Sequence, residues 1–341
     1  AEAEELGRLA GTDQDVVPKI VDDVLGTRAT GYQYAFGIGL GSTHPDVPNL
    51  LSIFKNAFAK EGSKSALAVR GILSSWSKRD APECEKFLDQ AVSDDTWAKC
   101  FPELQCAVGL EGRGYERILE ALAGNKAPIW QYTYLGMGRA TDVLTVDQIG
   151  QIAHAVAKAE GGLSAAVDIL GMAVHLAREH GANYVGSLAS ICGRFLAQAD
   201  YSKLDANGDR DEYHIDELVR FVLKHSTDAA QERKVLAQLI GWEKSKGRVY
   251  AFRRGRFLKP FFELRPQMAL DAIYKPDKDG RYTTATILAA NADSERNDRP
   301  MSVVPASDLA QWCKVSPADR CPFAALTCAL FASGQPAEGP D

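Results

Sequence analysis

The chain has 341 residues, 45% of them hydrophobic, which is enough for two ordinary domains or one elongated repeat array with a packed interior. No run of about 18 apolar residues occurs, so the sequence predicts no transmembrane helix, and Ala1 to Glu5 lack the features of a signal peptide. The net charge of -6 argues against general affinity for nucleic acid. The seven cysteines lack Cys-x-x-Cys and zinc-type spacing and are typical of reduced thiols in a cytoplasmic protein. Since no initiator Met is present, we expect the chain to be processed or cut from a longer polypeptide.

Helical periodicity predicts an all-α fold from the first residues onward. Val16 to Leu25 carry apolar side chains at helical spacing, with Thr12 or Asp13 placed to cap the helix. Gly37, Gly39 and Gly41 then resemble part of a nucleotide-binding loop. A dinucleotide loop follows a buried strand, whereas an aromatic, helix-like segment precedes these glycines. We interpret them as sites of close helix packing.

Glycines flanked by large apolar residues recur along the chain and indicate a repeated helix hairpin. With the weaker Arg70-Gly71-Ile72 included, they fall at positions 37, 71, 109, 136, 171 and 241, at steps of 34, 38, 27, 35 and 70. Two-helix repeats commonly run to roughly 34–47 residues, so the steps fit one or two units. A glycine on the inner face of a helix would let the next helix pack closely.

The pattern is clearest from Ala127 to Tyr201, which predicts the middle of an α-solenoid of antiparallel, HEAT/TPR-like hairpins. Ile129 to Ala140 form one helix, and Thr145 with Gln148 form a capping box for the next. We expect a helical-repeat array over residues 1–200, its continuation over 201–332, and a disordered tail at 333–341.

Neither the acidic loop nor the histidines predict a metal site. The acidic loop (205–212) places Asp205, Asn207 and Asp209 like the first ligands of a calcium-binding EF-hand, but Arg210 stands where that loop needs glycine, and Asp216 replaces the usual Glu. His175 and His180 lie five apart and do not share a helix face. Cys321 and Cys328 lie seven apart, which favours packing in the core. We predict no metal ion and no cofactor.

One basic and aromatic segment (244–265) stands out, with eight basic and two acidic residues between Glu243 and Arg265. It could stack on bases and contact phosphates, dock an acidic partner, or pack Phe257, Phe261 and Phe262 inside while its arginines face water. A partner-binding edge is predicted for the following residues: Arg248, Tyr250, Arg253, Arg254, Arg256 and Lys259.

Two C-terminal phrases resemble the helical-repeat sensor regions of bacterial antiphage proteins of the STAND nucleoside-triphosphatase type. They are the phrase from Phe261 to Asp271, with Arg265-Pro266, and the phrase from Leu309 to Pro322, with Trp312-Cys313 and Arg320. In such proteins the array recognises a foreign protein, and a separate domain carries the effector chemistry. The resemblance therefore implies a trigger-sensing module.

No catalytic signature accompanies these patterns. The sequence lacks Gly-Lys-[Ser/Thr], His-Glu-x-x-His and Gly-x-Ser-x-Gly. We therefore predict a non-catalytic recognition or scaffold module that binds another protein, such as an acidic or a phage-derived one. The alternative is a helical-repeat nucleic-acid-binding protein, or an enzyme of base modification or repair, that uses the basic strip at 244–259.

Overall fold

The fold is all-helical, as the sequence predicts. The computed structural model describes residues 1–13, 15–26, 30–60, 64–204, 209–245, 256–275 and 303–328, and across these ranges the only β-type pairing is an isolated bridge between Gly26 and Lys64. The α-helices are α1 (Glu2–Thr12), α2 (Val17–Leu25), α3 (Thr30–Thr43), α4 (Val47–Phe58), α5 (Leu67–Arg79), α6 (Ala81–Ala91), α7 (Phe101–Val108), α8 (Gly114–Gly124), α9 (Val146–Lys158), α10 (Leu163–Leu176), α11 (Ala182–Gln198), α12 (Asp209–His225), α13 (Ala229–Ser245), α14 (Lys259–Leu264), α15 (Pro266–Tyr274), α16 (Ala306–Lys314) and α17 (Pro317–Cys328).

The chain divides into two compact units, Ala1–Ala173 and Val174–Asp341. In the first unit, α1 packs on α3, α3 on α5, α5 on α7, and α7 on the 3-10 helix Ile129–Gly136, so these elements form one row. Helix α2 contacts α4, and both also contact α5. A buried apolar core that includes Phe54, Trp76 and Trp97 holds these helices together.

The row begins with backbone contacts that only glycine permits. A Cβ at Gly37 of α3 would lie 2.0 Å from the Ala68 carbonyl oxygen, and one at Gly71 of α5 would lie 2.1 Å from the Tyr34 carbonyl oxygen. On the opposite side of α3, a Cβ at Gly39 would lie 2.1 Å from the Glu4 carbonyl oxygen of α1. The prediction of close packing at the clustered glycines of α3 is confirmed.

The same glycine pattern has other roles further along the chain. Gly136 also packs closely, because a Cβ there would lie 2.8 Å from the Asp168 carbonyl oxygen. The prediction is wrong for Gly109, which ends α7 with a φ of 114°, and for Gly241, which faces open space. Gly171 is buried. The apolar-Gly-apolar triplet by itself therefore does not show whether another helix packs against the glycine.

Local capping signals place several helix ends as predicted. In the capping box of α9, the Gln148 backbone N–H donates to Thr145 Oγ1 (3.2 Å), and the Thr145 N–H donates to Gln148 Oε1 (2.9 Å). Pro102 lies in the first turn of α7, where its missing N–H costs little. The predicted cap of α2 is wrong, since α2 begins after Val16 without a side-chain cap. The helix predicted from Ile129 to Ala140 is a 3-10 helix that ends earlier, at Gly136.

In the second unit, α11 packs on α13, α13 on α15, and α15 on α16. A junction formed by Asp271, Trp312 and Arg320 holds α15 against α16 and α17. The Trp312 indole Nε1–H donates to Asp271 Oδ1 (2.8 Å), and Arg320 lies 3.2 Å from the same oxygen, with its Cζ 4.5 Å from the Trp312 ring centroid. The two C-terminal phrases are therefore in direct contact, and their Asp, Trp and Arg residues have a packing role.

Three further predictions concern the place of Cys321, the absence of a transmembrane helix, and the acidic loop and C-terminal tail. Cys321 is exposed, so its predicted place in the core is wrong. No helix within the described ranges is long and apolar enough to cross a bilayer. Residues 205–208 of the acidic loop and the tail at 333–341 lie outside the described residues.

The glycine contacts predict opposite effects of one substitution at two positions. Gly37→Ala should lower the free energy of unfolding by about 1–3 kcal/mol, because its methyl group would meet the α5 backbone. Gly241→Ala, in open space within α13, should raise it by up to about 1 kcal/mol through helix propensity. Thermal and denaturant unfolding measure both, and a neutral Gly37→Ala would contradict the close contact.

The hydrogen bond from Trp312 to Asp271 predicts that two substitutions of Asp271 lower the free energy of unfolding by different amounts. Asp271→Ala should cost about 1–3 kcal/mol, because it leaves the buried Trp312 N–H without its acceptor. Asp271→Asn retains an acceptor oxygen and should cost less. Denaturant unfolding followed by tryptophan fluorescence compares them, and equal losses would show that the indole hydrogen bond contributes little.

Candidate binding site

The predicted partner-binding edge lies mostly outside the described residues. This holds for Arg248, Tyr250, Arg253 and Arg254, and the backbone of Arg256 lies in the 3-10 helix Arg256–Leu258. Lys259 is half-buried at the start of α14. The assignment of a binding role to this edge stays a prediction, as does the nucleic-acid alternative that uses the same strip.

The end of the basic segment has a structural role. Phe257, Phe261 and Phe262 are fully buried, as the packing interpretation predicts. Arg265 binds both carboxylate oxygens of Glu232 (2.9 and 3.0 Å) and the Leu223 carbonyl oxygen (2.7 Å). Because Glu232 is buried, this two-point ion pair fixes α14 and α15 against α12 and α13 rather than meeting an external anion.

A different group of residues forms the best-defined polar site, in the first unit. Successive members of the row of helices supply one or two side chains each: Tyr34 from α3, Arg70 from α5, Glu103 from α7, and both Gln131 and Tyr134 from the 3-10 helix 129–136. We call this group the aromatic-arginine cluster. Because adjacent members of the row are in contact, residues 28 to 36 positions apart come together.

Arg70 is the centre of the cluster. Its guanidinium carbon lies 5.0 Å from the Tyr134 ring centroid and 5.7 Å from that of Tyr34, within range of cation–π attraction to both rings. Its Nη1 lies 3.6 Å from Glu103 Oε1. The rings and the carboxylate hold the guanidinium in place, and 23% of the Arg70 side chain remains exposed.

Glu103 is the buried carboxylate beneath this arginine. Burial raises its pKa above the ordinary value of 4.5, although Arg70 and hydrogen bonds from Tyr134 and Gln131 act in the opposite direction. Burial and the neighbouring carboxylate also raise the pKa of the Tyr134 hydroxyl. Tyr134 therefore stays a hydrogen-bond donor at neutral pH.

The outer part of the cluster is accessible. Tyr34 is 37% exposed, and Trp130, which is not a member of the cluster but lies on the same 3-10 helix as Tyr134, is 57% exposed. Two buried atoms of the cluster, Arg70 Nε and Gln131 Oε1, make no hydrogen bond to any described residue. The site thus combines a fixed, partly exposed cation with exposed aromatic surface.

The residues of this site were not predicted from the sequence, although a signal was present. The glycine pattern identifies Gly37 and Gly71, and the cluster residues Tyr34 and Arg70 lie next to or within one turn of them. One repeat period beyond Arg70 lies in α7, and the next period lies close to the 3-10 helix 129–136. The sequence does not determine the register in which the helices pack. That register decides that Glu103 rather than a neighbouring residue contacts Arg70.

Neither a metal-binding group nor a similarity to known proteins assigns a function to the described part of the chain. In the part of the chain that the structure describes, no group of three or more His, Cys, Asp or Glu residues could hold a metal ion. No family model matches the chain, and no match was found among curated proteins or solved structures. The candidate site therefore rests on its own geometry.

The raised pKa of Glu103 predicts a specific pH dependence of stability. The folded state holds this proton more tightly than the unfolded chain, so the free energy of unfolding should fall as the pH rises from 4.5 through the folded-state pKa. Glu103→Gln should remove this part of the decline. Denaturant titrations between pH 4.5 and 8 measure it, with the exposed Glu120→Gln as control. Parallel curves for Glu103→Gln and the wild type would contradict the assignment.

Proposed function

We propose that this chain is a non-catalytic recognition module that binds another protein through the aromatic-arginine cluster. The observation that carries the proposal is the position of Arg70 between the rings of Tyr34 and Tyr134. Arginine, tyrosine and tryptophan are the residues most enriched at the energetic centres of protein interfaces. The ion pair with Glu103 already orders the arginine, so binding would cost little side-chain entropy.

We infer that the recognition surface is that of an α-solenoid. Support comes from the contacts of α1 with α3, α3 with α5, and α5 with α7, since stacked hairpins bring every second helix together. Two polar side-chain contacts also join residues that are about one repeat apart in the sequence. Lys126 reaches Asp95 over 31 residues, and the Gln267 side chain reaches the Asp308 carbonyl over 41. These steps are close to one two-helix repeat.

Binding is favoured over catalysis by the state of the reactive groups in the cluster. The two nearby thiols, Cys100 and Cys106, have pKa values raised to about 12 by burial, so neither is a thiolate at neutral pH. The Glu103 carboxylate is engaged by Arg70, Tyr134 and Gln131. No activated nucleophile therefore faces the accessible side of the cluster.

The biological setting that we propose is trigger sensing in a bacterial antiviral defence protein. Its support is the resemblance of the two C-terminal phrases to STAND-type sensor regions. The Asp271, Trp312 and Arg320 junction gives those phrases a shared physical role. In this setting the aromatic-arginine cluster would contact the trigger protein.

A site-specific photocrosslinker tests the proposed interface. Placed at Tyr34 or Trp130 in cells of the source organism, it should capture one partner protein, and capture should be lost when Arg70 is changed to Glu. The same crosslinker at Tyr213, which is 53% exposed in the second unit, is the control. Equal capture at Tyr213, or capture unaffected by Arg70→Glu, would contradict the proposal.

Binding measured with the purified partner gives the expected magnitude. Tyr34→Ala or Arg70→Ala should each cost at least about 2 kcal/mol, or roughly thirtyfold in Kd. The exposed residue Arg113 offers an arginine control outside the cluster, and Arg113→Ala should change Kd little. Circular dichroism of each variant separates loss of binding from loss of fold.

A further inference from the structure

A groove between α4 and α6 in the first unit forms a site that the proposed function does not use. Residues of α4, among them Leu51, line one side, and residues of α6, among them Phe87, line the other. The buried Trp76 and Trp97 form its floor. The groove encloses about 350 Å³, and small-molecule sites typically occupy roughly 300–1,000 Å³. The α4–α6 groove is therefore large enough for a small organic ligand.

The aromatic side chains of the floor are held in place by the protein itself. The Phe87 ring meets the rings of Trp76 and Trp97 edge-on, with centroids 6.2 and 6.1 Å apart. Asp94 fixes Trp97, because its Oδ1 accepts a hydrogen bond from the Trp97 backbone N–H (3.1 Å). The other oxygen of Asp94 pairs with Lys55 of α4. A ligand would therefore meet ordered walls, and little side-chain entropy would be lost on binding.

The two tryptophans carry hydrogen-bond donors that the protein does not use. Trp76 and Trp97 are each only 3% exposed, yet neither indole Nε1–H donates to a described residue. Neither nitrogen is sealed from solvent, so both open at the groove that these two residues line. A buried indole N–H normally has an acceptor. That of Trp312 follows this rule, since it donates to Asp271.

Core packing explains the two indole rings but not their donors. A phenylalanine at either position would bury a comparable aromatic ring and leave no N–H to be satisfied. A buried donor that gives up water without gaining an acceptor destabilises the folded state. Because two such donors open at one groove, they indicate a ligand that supplies an acceptor.

The charged side chains of the groove neutralise one another. Lys55 pairs with Asp94, and Lys86 pairs with Glu83, and these four are the charged residues that line it. The lining therefore carries no net charge. Burying an ionic group of a ligand against the aromatic floor would cost desolvation free energy without a free counter-charge. The groove thus favours an uncharged ligand.

We propose that the α4–α6 groove binds an uncharged, planar aromatic small molecule that carries a hydrogen-bond acceptor. The ring of the ligand packs against Trp76, Phe87 and Trp97, and its acceptor receives a hydrogen bond from an indole N–H of the floor. The inference is independent of the protein-binding role of the aromatic-arginine cluster.

Titration of the isotope-labelled full chain with quinoline tests the proposal, with the indole N–H signals of the five tryptophans as the readout in a proton–nitrogen spectrum. Trp76→Phe and Trp97→Phe each remove one signal and so assign the pair. Quinoline should shift one or both of these signals downfield in a saturable way, with a Kd on the order of 1 mM or lower. The signals of the other three tryptophans should stay in place. Free indole is the matched probe, because it is also uncharged and has two rings but has no acceptor, and it should bind about fivefold more weakly.

A substitution at the rim shows whether the binding takes place in the groove. Ser52→Phe puts a ring where the ligand would lie and should raise the Kd of quinoline at least about tenfold. Asn56→Phe adds the same ring at an exposed position of α4 outside the groove and should leave Kd within about twofold. The proposal is overturned by the absence of a saturable shift at millimolar quinoline, by equal affinity for free indole, or by equal weakening in the two variants. Circular dichroism checks the fold, and Ser52→Leu provides a second measurement if Ser52→Phe is unstable.

Discussion

The backbone contact between α3 and α5 is the constraint on which the first unit depends. At Gly37 and Gly71 each helix has no side chain, so the main chain of the other helix comes into contact. Glycine costs about 1 kcal/mol per position in helix propensity. Here that cost is offset by dispersion contacts along two helices. A side chain at either position would separate the helices and move every residue carried on them.

This contact also sets the geometry of the candidate site. The carbonyl oxygen of Tyr34 occupies the place that a Cβ at Gly71 would need, and Arg70 is the residue before Gly71. The glycine contact therefore brings the backbones of Tyr34 and Arg70 close together, so that the Arg70 guanidinium carbon lies 5.7 Å from the Tyr34 ring centroid. Further along the row, side chains such as Glu103 and Tyr134 fill the space between elements, and the contact changes from backbone packing to a polar cluster.

The second unit uses ion pairs and indole hydrogen bonding for the same purpose. Arg265 links α14 and α15 to Glu232 of α13, and Asp271 joins α15 to Trp312 and Arg320. Removing Arg265 would be costly because the charge of the buried Glu232 would be left without compensation. The basic segment thus ends in a structural clamp.

The sequence by itself determined the all-helical fold and many helix ends. Apolar spacing, the Thr145 and Gln148 capping box and the glycines of α3 are local signals, because a helix forms from contacts between residues three or four apart. The tertiary structure alone decided which repeated glycines touch a neighbour. Gly37 and Gly241 look alike in sequence, but only Gly37 faces another helix closely. It also decided that Arg70 meets Glu103 and Tyr134, since these residues lie more than 30 positions apart and the register of helix packing selects the pairs.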